Sequence, residues 1–241
     1  MKASIKLILW GLGVVTTVFL MAFEKISENK TLINDIQIEI EQENNQLFLN
    51  KEDIISALEK QEDSLLLKSI NSINTSLLEE SLKNHPFVAQ AEVFSTLDGL
   101  LSVQVKQKIA LARILDMNEH YYIDAKGHPF PCSKTYSARV PVFTGKLDST
   151  GIAQAFSIMQ TVATTTYFKN WLAEIHIKPN YEFELIPIKA NHRVLFGDTT
   201  NAHKKLRKLE AFYKTAVTEE NLNEWKSLNV AYDNLLVTTK H

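Results

Sequence analysis

The 241-residue sequence is poor in the residues that build catalytic and covalent frameworks: it has one cysteine, seven glycines and six prolines. With Cys132 alone, no disulfide can close within the chain, so stability must come from packing even in an oxidising compartment. No Cys-His pattern surrounds Cys132, which reads as a small, partly buried hydrophobe and not as a catalytic thiol. A Cys-x-x-Cys pair is impossible, and the seven histidines include no His-Glu-x-x-His arrangement, which removes the usual zinc frameworks. No Gly-x-Ser-x-Gly elbow and no Gly-x-x-x-x-Gly-Lys loop occur, so hydrolase and nucleotide-binding readings lose their supports. The formal net charge is -2, from 26 basic and 28 acidic residues, so no global field attracts nucleic acid. The expectation is therefore no enzyme, no catalytic or metal residues, no cofactor, no nucleic acid and no small-molecule substrate. A cell-wall enzyme assembled from distant positions is the version of catalysis that such a motif search would miss.

What is present is a chain with 45% hydrophobic and 22% charged residues, enough for two ordinary cores, and one long apolar run. From Leu7 to Phe23, LILWGLGVVTTVFLMAF contains no charge, and Ile5 extends it beyond Lys6. At about 1.5 Å per residue such a run is just long enough to cross a hydrocarbon core, with Trp10 near one interface. Lys2 and Lys6 precede it, whereas Glu24, Lys25 and Glu28 after it roughly cancel. The positive-inside rule then makes residues 1–6 a cytoplasmic tail, residues 7–23 a single transmembrane helix, and everything after Phe23 exported. The competing reading, a cleaved signal peptide, is weakened by Leu20-Met21-Ala22, which offers one small residue where two are wanted.

The exported part is predicted to be α+β, in two units. Residues 31–108 begin with Ile36, Ile38 and Ile40 alternating with polar residues, a half-buried strand. Asn50 before Lys51-Glu52-Asp53 starts a helix carrying Ile54, Ile55 and Leu58, and Ser76-Leu77-Leu78-Glu79 reads as a capping box for a second helix stopped by Pro86. Val88 to Phe94 and Leu101 to Val105 form a hairpin about Asp98-Gly99. The order is β-α-α-β-β. Residues 109–241 read as a mixed β domain with flanking helices. Strands are expected at Ala110 to Leu115, Tyr121 to Ile123, Val140 to Phe143, Ile175 to Ile177, Phe183 to Ile188 and Val194 to Phe196, with a turn at Asp124 to Gly127. One helix carries Ile152, Phe156, Met159 and Ala163. Another, capped by Asp198 or Thr199, carries Ala202, Leu206, Leu209, Tyr213 and Ala216. The chain is expected to close with an extended run from Asn229 to Val237.

The β-α-α-β-β order, with HPFVAQAEV entering the hairpin and LLSVQVKQKIALARI leaving it, resembles a POTRA domain, a binding module. YYIDAKGHPFP (Tyr121 to Pro131), RVPVFTG (Arg139 to Gly145) and the terminal SLNVAYDNLLVTTK (Ser227 to Lys240) resemble, in order, motifs of the β domain of FtsQ/DivIB proteins. The chain departs from that pattern at Ala231, where a basic residue usually precedes the tyrosine, and at Asp98-Gly99, where a proline is common. The resemblance implies a non-enzymatic divisome scaffold that links early and late cell-division proteins and helps control septal peptidoglycan synthesis. It implies a single-pass inner-membrane location with periplasmic domains at the division septum, and partners of the small coiled-coil FtsB/FtsL type. The carried-over contacts are Tyr232, Asp233, Asn234, Leu235 and Leu236, in a C-terminal strand open to β-augmentation. Tyr232 and Leu236, on one face at period two, would equally suit completing the core. The alternative function is a membrane-anchored POTRA module that guides exported polypeptides.

Two side-chain groups remain. His176 and His192 on neighbouring predicted strands could meet as a weak metal or proton site, against the plainer reading of polar-face histidines. The basic run His203-Lys204-Lys205-Leu206-Arg207-Lys208 reads as a solvated helix face, or as a contact to anionic lipid, wall polymer or an acidic partner.

Overall fold

A computed structural model of the chain describes residues 13–19, 31–43, 45–61, 64–117, 119–218 and 220–241. Residues 13–19 are helical; the rest of the expected transmembrane segment and the cytoplasmic tail lie outside the described residues. No helix among the described residues is long and apolar enough to cross a membrane. The chain divides into two units, Met1–Lys108 and Ile109–His241.

The first unit has the β-α-α-β-β order: β1 (Asp35–Glu41), α1 (Lys51–Glu59), α2 (Thr75–Lys83), β2 (Val88–Ser95) and β3 (Leu100–Gln107). Its sheet order is β1-β3-β2, with β1 parallel and β2 antiparallel to β3. Asn50 caps α1 reciprocally: its side chain accepts from the Asp53 N–H (2.8 Å), and the Asp53 carboxylate accepts from the Asn50 N–H (3.0 Å). The second helix departs from expectation. Asn74, not Ser76, is its N-cap, accepting from the Leu77 N–H at 3.3 Å. Glu79 does not reach back to the helix start. Its carboxylate accepts from the Val93 N–H of edge strand β2 (3.0 Å), and this bond is the main reason its pKa is lowered. An edge strand offers N–H groups with no ladder partner, and a charge-assisted bond to one outcompetes a local cap. Ile54, Leu58, Leu78, Leu82, Leu101 and Val103 form the buried centre.

The second unit is built on one nine-stranded sheet of order β12-β11-β10-β9-β8-β7-β4-β5-β6. Its elements are β4 (Ala112–Leu115), β5 (His120–Ile123), β6 (Pro129–Pro131), β7 (Val142–Gly145), α3 (Ser149–Thr164), β8 (Leu172–Ile177), β9 (Phe183–Pro187), β10 (Arg193–Gly197), α4 (Ala202–Ala216), β11 (Trp225–Asn229) and β12 (Val237–Lys240). The parallel pairs β7/β8 and β10/β11 need crossovers, and α3 and α4 supply them. Both helices pack into the core around Phe143, Ile175, Leu185 and Phe196. The buried stripe of α3 is Ala155, Ile158, Met159 and Val162, so the expected stripe is rotated: Ile152 and Phe156 lie at its margin and Ala163 is exposed. At Gly145, φ is +89°, and a Cβ there would lie 2.1 Å from the Ile177 carbonyl oxygen, so only glycine permits β7 and β8 to close at this point.

His176 and His192 do not meet, because β9 lies between β8 and β10. His176 Nδ1 shares a 2.8 Å hydrogen bond with the Thr144 hydroxyl. His192 is buried, with Nε2 2.5 Å from the Tyr213 hydroxyl of α4. No group of metal-ligating side chains occurs among the described residues. Burial lowers the His192 pKa, offset in part by the Leu222 backbone. The unfolded chain therefore binds a proton below pH 6.5 that the native state does not take up, and stability falls as pH falls. Thermal unfolding of the wild type and of His192→Gln at pH 7.5 and 5.5 should show a smaller pH-dependent loss of Tm in the variant. His85, also lowered by burial, will retain its share in the first unit.

Candidate functional site: the C-terminal hairpin and its lysine-held loop

The last residues do not form the single extended run expected from Asn229 to Val237. After β11 the chain bends through 230–236 and returns as β12, antiparallel to β11, pairing Ser227 with Thr239, Leu228 with Thr238 and Asn229 with Val237. Tyr232-Asp233-Asn234 is a cluster of turn formers, the signal in the sequence that marks this bend.

β12 stands at one end of the sheet order and β6 at the other. The two edges differ. β6 is Pro129-Phe130-Pro131, and proline has no N–H to offer a further strand. β12 is Val237-Thr238-Thr239-Lys240, β-branched and without proline. The His241 N–H donates inward to the Glu224 carbonyl (3.2 Å), so alternation along β12 turns the Thr238 and Lys240 N–H groups outward.

The loop is fixed from α4. Val230 is buried, its N–H donating to Leu195 O (3.0 Å), and Ala231 packs so closely on Gly197 that a Cβ there would lie 2.8 Å from the Ala231 Cβ. Beyond this anchor, Lys208 Nζ donates to three carbonyls: Val230 (2.9 Å), Tyr232 and Leu235 (3.3 Å). Lys204 Nζ lies 3.4 Å from Asn234 Oδ1 and 3.7 Å from Asp233 Oδ1. Lys205 is buried: Nζ donates to the Asp198 carbonyl and carboxylate, both at 2.8 Å, and sits over the Phe196 ring. The reading of this run as a solvated face is thus corrected for Lys205 and Lys208, because the β10–β11 crossover lays α4 beside the loop. Asp198 is not the N-cap of α4. Asn201 holds that position, with φ +53° and no side-chain capping bond.

The Lys205 ammonium and the Thr200 hydroxyl hold the Asp198 carboxyl at about 2. Its contribution is complete above the unfolded value of 3.8 and is lost as pH falls through about 2. Burial, with Lys204 nearby, lowers the Lys208 pKa.

The five expected contact residues therefore share one loop, not one strand. Tyr232 (57% exposed) and Leu235 (64%) point to solvent, as do Asp233 and Asn234, and only Leu236 packs on the core. Tyr232 does not complete the core. What the sequence reading missed is the lysine frame and the position of the open strand, Val237–Lys240. Neither Lys205 nor Lys208 announces a buried role from its neighbours in sequence.

In Lys208→Met the three carbonyls lose their shared donor while the aliphatic stem is kept. Hydrogen exchange of the amides of residues 231–236 should then accelerate by about tenfold or more, with β8 and β9 protection unchanged. Equal acceleration in β8 and β9 would mean the lysine stabilises the whole unit and not the loop.

Comparison with known proteins agrees with this division of the chain. A family profile described as FtsQ/DivIB, C-terminal related, matches residues 110–239, and one described as a POTRA-like domain matches residues 31–106. No curated protein matches the chain. The first match spans more than half of the sequence and coincides with the nine-stranded unit. The chain belongs to the FtsQ/DivIB family of cell-division proteins.

Proposed function

We propose that this protein is a non-enzymatic divisome scaffold that links early and late division proteins and helps control septal peptidoglycan synthesis by binding other chains. In this reading it sits in the inner membrane as a single-pass protein through residues 7–23, with its N-terminus cytoplasmic and both folded units periplasmic at the septum. Family membership and the uncharged apolar run after Lys2 and Lys6 support the reading.

The observation that carries it is the unequal pair of sheet edges. At the two ends of the nine-stranded sheet, a proline-blunted β6 and an open β12 leave one route for adding a strand to that sheet, and the exposed Tyr232 and Leu235 stand beside that route. A segment of a small coiled-coil partner of the FtsB/FtsL type would pair with β12 by main-chain hydrogen bonds and be selected by the loop side chains Tyr232, Asp233, Asn234 and Leu235. Lys204 and Asp233 would bias the charge of what docks. The export-module alternative accounts for the POTRA-like unit and leaves residues 110–239 without a role.

Thr238→Pro removes an outward N–H and leaves the inward ladder groups of Val237 and Thr239 in place. Co-purification of the membrane-anchored chain from growing cells should recover small coiled-coil membrane proteins with the wild type. The variant should bind them about tenfold more weakly, the worth of one main-chain hydrogen bond with its neighbours disturbed. Undiminished recovery with a folded Thr238→Pro protein would remove β12 as the docking strand. Recovery of neither partner by the wild type would remove the scaffold reading itself.

A further inference from the structure

Three stretches of the first unit are tied together at one end of its sheet: the 31–34 entry, the 66–70 loop and the 96–99 turn. Ile33 N–H donates to Lys68 O (2.9 Å), and Leu67 N–H donates to Ile33 O (2.7 Å). Asn34 N–H donates to Gly99 O (2.9 Å), and Asn34 Nδ2 donates to Asp98 O (3.1 Å). Gly99 has φ +93°, and a Cβ there would lie 2.5 Å from the Leu32 carbonyl oxygen, so the turn is pressed directly onto the entry segment.

This end carries four leucines that do not serve the core. Leu97 is 91% exposed and Leu67 74%, while Leu66 and Leu32 are about half exposed, at 48% and 46%. In the same unit Leu49, Leu58, Leu65, Leu78, Leu82 and Leu101 are buried, so the unit has apolar side chains enough for its interior. Leu67 is held outward by a left-handed backbone at φ +65°, a conformation unfavourable for a residue with a Cβ. A cluster of this kind marks a contact surface and not a folding requirement.

Its place in the chain identifies what covers it. Seven residues separate Thr31 from Phe23, the last residue of the uncharged run. Even fully extended, that connection spans about 28 Å, so this end of the unit is held close to the bilayer if the run is an anchor. The charged residues in and next to these stretches are Lys30, Asp35, Lys68 and Asp98, two of each sign, and the Asp98 carboxylate already accepts from the Thr96 hydroxyl. Attraction to an anionic surface therefore does not drive the contact. Apolar burial does, and a tethered unit needs little intrinsic affinity because its effective concentration at the surface is high.

Resting on the anchored reading of residues 7–23, we propose that this leucine-bearing end of the POTRA-like unit lies on the lipid bilayer, with Leu97 and Leu67 entering its interfacial layer. The contact is apolar and so persists at high salt and on zwitterionic lipid. It fixes which end of the first unit faces the membrane.

The test uses the full chain, one copy per nanodisc of zwitterionic lipid, in a Cys132→Ser background. An environment-sensitive fluorophore is placed in turn at Leu97→Cys, at Asn84→Cys on the opposite end of the unit, and at Val14→Cys in the apolar run. Circular dichroism checks that each variant folds. The expected result is a blue-shifted Leu97 probe quenched by lipids bearing a nitroxide near the headgroup, in both low and high salt, and an unquenched Asn84 probe. A Val14 probe quenched by lipids bearing a nitroxide deep in the acyl chain, with a Leu97 probe no more quenched by the headgroup nitroxide than Asn84, overturns the proposal and leaves the anchor standing. A blue-shifted Leu97 probe that nitroxide lipids do not quench means protein covers the patch, which also overturns it. A Val14 probe that acyl-chain nitroxides do not quench removes the anchor and the proposal together.

Discussion

Parallel pairing of β10 with β11 is the constraint on which the candidate site depends. Two parallel neighbours cannot be joined by a hairpin, so the chain must leave the sheet, cross it and return, and α4 is that crossing. The helix consequently lies beside the residues that follow β11, and its lysines at positions 204, 205 and 208 are delivered to them. Lys205 locks the start of the crossover to Asp198, and Lys208 gathers the carbonyls of Val230, Tyr232 and Leu235 at its far side. With the loop so held, the chain is turned back and β12 becomes the last strand of the sheet. The open edge is thus a product of topology first and of local sequence second.

The same molecule shows three ways of treating a sheet edge. β6 is blunted by prolines, which removes donors. β2 of the first unit has one of its free N–H groups taken by Glu79, a charged acceptor from the covering helix. β12 is left with outward N–H groups and β-branched side chains, flanked by exposed Tyr232 and Leu235. An edge strand that is neither charged along its length, covered nor broken is a liability in a protein that does not use it. Within the nine-stranded sheet the contrast is direct: β6 is blunted at one end and β12 is left open at the other.

Much of this was legible in the sequence, and what was not has physical reasons. Alternation at Ile36, Ile38 and Ile40 and the reciprocal cap at Asn50 and Asp53 placed β1 and α1, because local periodicity and a local cap suffice there. The expected capping box at Ser76 failed because Glu79 found a better partner in Val93, fourteen positions away in sequence. The pairing of His176 with His192 failed because strand order inserts β9 between them, which chain proximity does not disclose. In the C-terminal run the hydrophobic residues continued past Asn229, and that continuity masked turn formers at 232–234. The role of the lysines was invisible for the most general reason: a buried ammonium is marked by carbonyls that come from other parts of the chain.

That Lys208 binds main-chain carbonyls and not side chains separates the shape of the loop from its identity. Carbonyl oxygens are present whatever residues occupy 232–235, so the frame survives changes at those positions while the exposed side chains remain free to vary with the surface they meet. The departure at Ala231 fits this logic. Its Cβ occupies the space that a side chain on Gly197 would need, and the cationic groups near Tyr232 come from helix α4, through Lys204 and Lys208, and not from the strand. In the proposed reading position 204 is the one that would bear on selectivity, since Lys204 reaches Asp233 and Asn234 at the surface, whereas Lys205 and Lys208 are consumed in holding the fold. A partner strand laid along β12 would therefore read Tyr232, Leu235 and the Lys204–Asp233 pair on a backbone that does not have to be ordered on binding, which keeps the entropic cost of docking on the partner's side.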